Sequence, residues 1–249
     1  MKPNVAHEPI IKIENLYKKY GDNVVLDGFN LNLYQGENLV IMGKSGSGKS
    51  VMIKCLIGLE IPDSGTIEIM SQKLEHLSLK ALDEIRADIG FLFQGSALYD
   101  SMTVRENLEF PLRRHISKFG NVKDTLPLVE EALQNVGLKN VIDLMPNELS
   151  GGMKRRVALA RTLILKPKII IYDEPTTGLD PITSKEIILL MKSVQEKYKT
   201  SSIIITHDVD CARVIANRMI LLIDGKNYAE GTFAELSTSQ DPKVKAFFK

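Results

Sequence analysis

The segment GKSGSGKS at residues 43–50 has the residue types and the spacing of a phosphate-binding loop. It matches G-x-x-x-x-G-K-[ST] and lies between the apolar run NLVIM and the helical run SVMIKCLIGL, the strand and helix that such a loop needs. Gly43, Gly46 and Gly48 allow the backbone to curl so that successive N–H groups surround phosphate oxygens. Lys49 can reach the β- and γ-phosphates, and the Ser50 hydroxyl can hold Mg²⁺. The segment therefore predicts a nucleotide site.

Two adjacent carboxylates follow a second apolar run, KIIIYDEP at residues 168–175. A buried strand here would deliver Asp173 and Glu174 at its carboxyl end, where open α/β sheets bind ligands. Because strand residues alternate in direction, the two acids are suited to separate roles. We expect Asp173 to hold Mg²⁺ and Glu174 to orient or deprotonate an attacking water. The alternative is a solvated pair of loop acids.

A third segment, LSGGMKRR at residues 149–156, combines serine, glycines and cations without a carboxylate, histidine or cysteine. A helix that begins at Ser150-Gly151-Gly152 presents free N–H groups and a positive dipole end, which suit an anion. Lys154, Arg155 and Arg156 would then assist if a phosphate arrives. The alternative is an ordinary serine N-cap followed by an exposed basic face.

Composition limits the classes of function. The 249 residues are 44% hydrophobic and 25% charged, which is typical of one large domain or a core with a subdomain. A net charge of +1 argues against binding nucleic acid by bulk attraction. Cys55 and Cys211 are the two cysteines, so no disulfide framework is expected and the cytosol fits best. We find no signal core and no apolar run long enough to span a bilayer.

The elements that would position these segments follow from the hydrophobic periodicity. Residues 10–40 carry short alternating runs, which predict an antiparallel β layer leading into a buried strand. The runs KIIIYDE, SSIIITHD and RMILLIDGK are separated by helical stretches, as in parallel strands buried on both faces. Between about 95 and 165 the pattern becomes helical, with a capping box at Thr103 and Glu106. This predicts an α/β core with a helical insertion.

In chain order, GKSGSGKS, FLFQ, LSGGM, IIIYDEP, GLD and ITHD resemble the motifs of the ATP-binding subunit of an ABC transporter. The resemblance covers nearly the whole chain. It implies an α/β P-loop NTPase (RecA-like) core with an N-terminal antiparallel β subdomain and an inserted helical subdomain. Residues 1–249 would form a single ABC ATPase domain, with 1–94 and 166–249 as the catalytic core and 95–165 as the helical subdomain.

The resemblance also implies how the opening segments work together. LSGGM would close on the γ-phosphate held by a second copy of the chain, so that a homodimer encloses two ATP molecules in composite sites. Hydrolysis would release the two copies and move a membrane permease. Asp180, which also reads as a helix N-cap before Pro181, would act between the paired subunits.

The remaining roles are assigned by the same resemblance. Tyr20 would stack on adenine, with Tyr17 as the alternative. Gln94 would contact Mg²⁺ and water, and His207 would contact the γ-phosphate and Glu174. His7, His76 and His115 match no motif and are expected at the surface. The nucleotide-binding set is Tyr20, Gly43, Lys44, Ser45, Gly46, Ser47, Gly48, Lys49, Ser50 and Val51; the catalytic set is Glu174, His207, Gln94 and Lys49; the metal set is Ser50, Gln94 and Asp173.

A narrower resemblance concerns the cargo. Met153 stands where the family usually has glutamine, and together with GFLFQGSALYDSMTVRENLEFPLRRH and DPKVKAFF it is similar to the ATPase of Mla-type (MCE) phospholipid transporters. This implies a permease dimer, an extracytoplasmic lipid-binding MCE protein, a small STAS-type regulator and a place on the cytoplasmic face of the inner membrane. The alternatives are the ATPase of an amino-acid type importer and a cell-division ATPase that moves no cargo.

The surface that meets the permease is expected around residues 95–115, because this segment lies between Gln94 and the LSGGM helix. Its apolar side chains are suited either to docking or to the core of the helical subdomain. They are Leu98, Tyr99, Met102, Leu108 and Phe110.

Overall fold

The computed structural model describes residues 8–115 and 124–248, which divide into two compact units. The first unit contains the chain up to Arg86 and from Ser201 onward, and the second contains Ala87–Thr200. The predicted functional segments are distributed between the two units: the phosphate loop belongs to the first, and LSGGM belongs to the second.

The first unit begins with the predicted antiparallel layer. Strand β1 (Ile11–Tyr20) pairs antiparallel with β2 (Asn23–Leu33) and with β4 (Ser64–Ile69), and β5 (Gln72–Lys73) extends the sheet in the order β2-β1-β4-β5. Alternate side chains along β1 and β2 are buried, as a sheet with one covered face requires. The layer predicted for residues 10–40 is present, and β4 and β5 add to it.

The other sheet of the first unit contains two completely buried strands. Strand β3 (Asn38–Met42) lies between β8 (Ser201–Ile205) and β9 (Arg218–Ile223), parallel to both, and β10 (Lys226–Gly231) pairs antiparallel with β9. All five residues of β3 are buried, and so are all five of β8. Such complete burial explains why these strands read as continuous hydrophobic runs rather than alternating ones.

The helices of the first unit follow its strands. They are α1 (Lys49–Leu56), α2 (Leu79–Ala87, whose last residue falls in the second unit), α7 (Val209–Ile215), α8 (Phe233–Ser237) and α9 (Pro242–Lys245), with a 3₁₀ turn at Leu74–His76. Cys55 in α1 and Cys211 in α7 are both buried.

The second unit is mainly helical. Its parallel strands β6 (Ile89–Leu92) and β7 (Ile169–Asp173) are accompanied by α3 (Val104–Arg114), α4 (Leu126–Asn135), α5 (Gly151–Leu163) and α6 (Pro181–Tyr198), with a 3₁₀ turn at Pro146–Glu148. The capping box predicted at Thr103 is formed: its hydroxyl accepts from Glu106 N at 3.2 Å, and the Glu106 carboxylate accepts from Thr103 N at 2.8 Å.

A buried carboxylate joins the helices of the second unit. Glu109 on α3 accepts hydrogen bonds from Arg105, Arg113 and, at the start of α4, the Thr125 hydroxyl, each at 2.7 to 2.8 Å. Burial by itself raises the pKa of the Glu109 carboxyl, but the three hydrogen bonds outweigh it and lower the pKa to about 2. The ionised form of Glu109 therefore ties α3 to α4.

In the part of the chain that the structure describes, no helix is both long and apolar enough to cross a membrane.

Candidate active site

The phosphate loop runs from the end of β3 to the start of α1. Gly48 is the N-cap of α1 in a left-handed conformation (φ 103°), and no side chain caps the helix. A Cβ on Gly48 would lie 2.7 Å from the carbonyl oxygen of Val25, and one on Gly43 would lie 2.8 Å from that of Leu222. Neighbouring backbone therefore demands glycine at both positions. Because the first turn carries neither a capping side chain nor an acid, its N–H groups and positive dipole end suit an anion.

The Lys49 side chain is held by backbone carbonyls of the loop. The Nζ atom donates to the carbonyl oxygens of Gly43 at 2.6 Å and Lys44 at 2.9 Å. The Ser47 hydroxyl is buried and has no hydrogen-bond partner among the described residues. The ammonium therefore lies beside the loop carbonyls, within the segment expected to enclose phosphate.

The predicted Mg²⁺ ligands have the right chemistry for that ion. Ser50 is exposed in the first turn of α1, Asp173 ends β7, and Gln94 is exposed beyond β6. Hydroxyl, carboxylate and amide oxygens are hard donors, and Mg²⁺ usually takes few protein ligands together with phosphates and water. Among the described residues no three His, Cys, Asp or Glu side chains gather into a metal cluster. Ser50 belongs to the first unit, and Gln94 and Asp173 belong to the second.

Glu174 has an unusual backbone. It follows β7 with φ at +49°, in the left-handed region that a residue with a long side chain seldom adopts. Its carboxylate accepts a hydrogen bond from the Thr177 hydroxyl at 3.1 Å. Residues held in such conformations concentrate at functional sites, where the surrounding structure compensates for the strain.

Two arginines of helix α5 hold the backbone on both sides of Gln94. Arg155 donates to the carbonyl oxygen of Phe93 at 2.7 Å, and Arg161 donates to those of Ser96 at 3.1 Å and Ala97 at 2.8 Å. Ser96 and Ala97 both have positive φ, at 64° and 47°. The backbone on both sides of Gln94 is thus fixed, while its side chain is exposed.

Ser150 begins α5 as predicted. It is the N-cap, and its hydroxyl accepts from Met153 N at 3.2 Å. The two glycines that follow have different surroundings. A Cβ on Gly152 would lie 2.7 Å from the Thr183 side chain, whereas one on Gly151 would lie 3.7 Å from Leu179. Gly152 is therefore required for packing, and Gly151 is not.

Neither expectation for the basic run after the glycines describes the structure. Arg155 is 4% exposed, and Arg156 donates to the carbonyl oxygen of Val136 at 2.8 Å and to Glu186 at 2.9 Å. These guanidinium groups contact their own unit, so they form neither an exposed basic face nor a group aimed at an incoming phosphate. The helix period explains the burial, since residues 155, 158, 159 and 162 share the packed face of α5.

His207 is exposed between β8 and α7. Its neighbours hold the backbone: Asp208 caps α7 by accepting from Asp210 N and Cys211 N, and its own N–H donates to the Thr206 hydroxyl at 3.0 Å. Of the other histidines, His76 is exposed, His115 is partly exposed, and His7 lies outside the described residues.

Tyr20 ends β1 and is 44% exposed, whereas Tyr17 is less exposed. The Lys18 ammonium lies 5.3 Å from the centre of the Tyr20 ring, within the range of a cation–π contact. The Tyr20 ring is thus more exposed than that of Tyr17, and its role in stacking stays a prediction.

Asp180 is the N-cap of α6, as predicted. It accepts from Ile182 N and Thr183 N, each at 3.0 Å, and from the Thr183 hydroxyl. The hydrogen bonds from Thr183 lower the pKa of its carboxyl.

The five apolar residues proposed for docking divide between the two alternatives. Leu108 is fully buried, while Tyr99 and Phe110 are 43% and 41% exposed with ring centres 4.8 Å apart. Leu98 and Met102 are partly exposed. One residue thus belongs to the core, and an aromatic pair faces outward.

Within the first unit the Lys49 side chain lies against the other residues of the predicted loop. Within the second unit α5 is hydrogen-bonded to the segments of Gln94 and Glu174. Sequence reasoning missed Arg155, Arg161 and Thr177 as partners of these segments. The helical period of α5 was the available signal for Arg155, since it places this residue on the same face as Ala158 and Leu159.

Known protein sequences are similar to this chain over most of its length. The chain matches the ABC transporter family over residues 26–177. It is 40% identical over 243 residues to the intermembrane phospholipid transport system ATP-binding protein MlaF of Haemophilus influenzae, with 98% of this chain and 91% of that relative covered. It is 36% identical over 252 residues to the methionine import ATP-binding protein MetN of Campylobacter jejuni, with 96% and 75% covered.

Solved structures agree. The dimeric cassette MJ0796 of a bacterial ABC transporter superposes with a TM-score of 0.80 at 37% identity, covering 90% of this chain and 98% of that one. A post-hydrolysis dimer of the same cassette bound to ADP and Pi gives a TM-score of 0.79 at 36% identity and the same coverage. The predicted α/β P-loop core with its antiparallel β subdomain is confirmed. The chain belongs to the ABC transporter family as an ATP-binding subunit, an ATPase that uses ATP and Mg²⁺.

Proposed function

We propose that this ATPase drives the transport of phospholipid between the membranes of a cell envelope. The observation that carries the proposal is the similarity to an MlaF protein, which covers 98% of this chain and 91% of the relative. Met153 and the residues around Gln94 support the same assignment. The similarity to methionine importers favours a second candidate, the ATPase of an amino-acid type importer.

Residue roles in the hydrolysis step are proposed from the motifs and from the local geometry. The loop Gly43–Val51 binds the triphosphate, Lys49 neutralises the β- and γ-phosphates, and Ser50 with Asp173 and Gln94 holds Mg²⁺. Held by these residues, Mg²⁺ would reduce the negative charge of the phosphates that repels an attacking water.

Side chains of this chain act on the attacking water and on the adenine ring. Glu174, fixed by Thr177, accepts a proton from the attacking water or orients it, and His207 contacts the γ-phosphate. Tyr20 stacks on adenine, its exposed ring making it a better platform than Tyr17.

Two copies of the chain are proposed to complete each other's sites. Ser150, Gly151 and Gly152 of one copy close on the γ-phosphate held by the other, and Asp180 lies at the junction between them. The support is the open space around Gly151 in the first turn of α5 and the dimeric form of the related cassette MJ0796. Hydrolysis removes the bridging phosphate and allows the copies to separate.

A membrane permease is the proposed recipient of this motion. The helical subdomain proposed for residues 95–165 would contact it through the exposed rings of Tyr99 and Phe110, since exposed aromatic pairs are favoured at interfaces. On the cytoplasmic face of the inner membrane the subunit would then work with an extracytoplasmic lipid-binding MCE protein and a STAS-type regulator.

The cargo is tested by purifying the subunit with its co-expressed permease in mild detergent and extracting bound lipid. We expect glycerophospholipid in stoichiometric amount and ATPase activity that phospholipid vesicles stimulate. Stimulation by methionine without retained lipid would establish the importer instead. Co-purification with division proteins and no permease would establish a cell-division ATPase.

A further inference from the structure

A single buried arginine connects three functional segments of the second unit. Arg155 lies on α5, and its guanidinium donates to the carbonyl oxygen of Phe93 at 2.7 Å and to that of Thr177 at 3.2 Å. Phe93 directly precedes Gln94, and the Thr177 hydroxyl donates to the Glu174 carboxylate at 3.1 Å. One side chain therefore joins the LSGGM helix to the backbone beside both predicted catalytic residues.

The environment of Arg155 is costly for a charge. The residue is 4% exposed, its acceptors are backbone carbonyls rather than carboxylates, and its Nε atom has no partner among the described residues. Burial lowers the pKa of this guanidinium. Burying a charge without a countercharge costs free energy that an apolar side chain would not require. In return, the planar guanidinium group of Arg155 fixes the geometry of both hydrogen bonds.

The next residue provides the contrast. Arg156 pairs with Glu186 and with the carbonyl oxygen of Val136, which lie in none of the predicted functional segments. The two arginines are adjacent in one helix and carry the same charge, but Arg155 alone of the pair contacts the segments of Gln94 and Glu174. Arg156 therefore serves as a matched control.

We propose that Arg155 is a positioning residue that couples the LSGGM helix to Gln94 and Glu174 of its own chain. The inference rests on the proposed function, in which the tip of α5 contacts the nucleotide of the partner. Arg155 lies five residues beyond Ser150, about 7.5 Å along the helix axis. A shift of α5 when the partner's phosphate binds thus moves the carbonyls beside this chain's catalytic residues. Occupancy of one site then affects hydrolysis at the other.

The test compares Arg155→Lys with Arg156→Lys in the full-length chain with its permease. Lysine keeps the charge but cannot donate to both carbonyls in the same geometry. We expect Arg155→Lys to lower kcat about ten-fold while ADP affinity stays within about two-fold. We also expect the Hill coefficient for ATP to fall from above one to about one. Arg156→Lys should match the wild type in all three.

Two results would overturn the coupling: a wild-type kcat in Arg155→Lys, or a reduced kcat with an unchanged Hill coefficient. Circular dichroism measures the folded fraction. Should Arg155→Lys not fold, Thr177→Ala tests the same link, and we expect a lower kcat at unchanged ADP affinity, restored by Thr177→Ser. An unaffected Thr177→Ala would overturn the link to Glu174. Absence of ATPase activity in the wild type would instead contradict the proposed function.

Discussion

Two helix N-termini carry the phosphate chemistry proposed for this chain, and they are built differently. At α1 the N-cap is Gly48, no side chain accepts from the first turn, and Lys49 lies beside the loop carbonyls. At α5 the N-cap is Ser150, whose hydroxyl already accepts from Met153 N. Neither first turn contains an acid. The α1 end is a loop with its own cation beside it, whereas at the α5 end Arg155 and Arg156 donate to groups of their own unit.

The difference indicates a division of labour. A cradle with a lysine can bind a triphosphate within one chain, because charge-assisted hydrogen bonds supply most of the affinity. A helix end whose cap hydroxyl already accepts from the first turn is better suited to recognising a phosphate that another surface already holds. Substitutions at α1 should therefore abolish binding, and substitutions at α5 should spare binding and reduce turnover.

The largest effect is expected at Lys49. We expect Lys49→Ala to lower ATPase turnover about 100-fold or more, because it removes the cation that stabilises charge on the β- and γ-phosphates. ADP binding, measured by calorimetry, should weaken as well. Lys54→Ala, in the last turn of the same helix, is the control and should leave both unchanged. Normal binding by Lys49→Ala would remove the distinction between the two helix ends.

The glycines of α5 should separate function from packing. Gly151→Ala has room for its methyl group, so we expect unchanged stability and ADP affinity with about ten-fold lower turnover, because the methyl group holds the phosphate away. Gly152→Ala meets Thr183, so we expect a loss of about 1 to 3 kcal/mol of unfolding free energy. Denaturant titration and steady-state ATPase assays measure the two effects. Equal stability losses in both variants would contradict this account of the two glycines.

The two helix N-caps Ser150 and Thr103 should have a smaller effect on stability. Ser150→Ala and Thr103→Ala should each cost about 1 kcal/mol of stability, because each removes a hydroxyl that accepts from a helix N–H. We expect only Ser150→Ala to reduce turnover beyond what the lost stability explains. A comparable loss of turnover in Thr103→Ala would mean that Ser150 is only a cap.

The effect on turnover should be least at Glu109, which supports the helices of the second unit from a distance. Its pKa is about 2 in the folded chain against 4.5 ordinarily, so its stabilisation is complete above pH 4.5 and is lost as pH falls toward 2. Glu109→Gln should therefore cost about 2 kcal/mol at pH 7 and little near pH 2. Unfolding titrations at the two pH values measure this. A pH-independent cost would mean that packing, not charge, is lost.

Much of this architecture was predictable because its patterns are local. The loop 43–50, the strand ending at Asp173 and the caps at Thr103, Ser150 and Asp180 each follow from a short run of residues. The period of α5 indicates the burial of Arg155 but not its acceptors, the carbonyls of Phe93 and Thr177, which are 62 and 22 residues away. The left-handed backbone of Glu174 likewise has no signal in its residue type. Long-range acceptors and strained backbone are outside what spacing encodes.

The most direct test of composite sites mixes two inactive chains. Lys49→Ala disables the loop, and Gly151→Asp, at a position with room for a Cβ, places a carboxylate where the partner's γ-phosphate would approach. In a mixed dimer one site combines both defects and the other has neither. The mixture should therefore recover activity up to about a quarter of the wild type, since half of the dimers are mixed and each has one intact site, whose turnover also depends on its coupling to the defective site. A mixture that stays as inactive as either variant alone would show that each chain completes its own site.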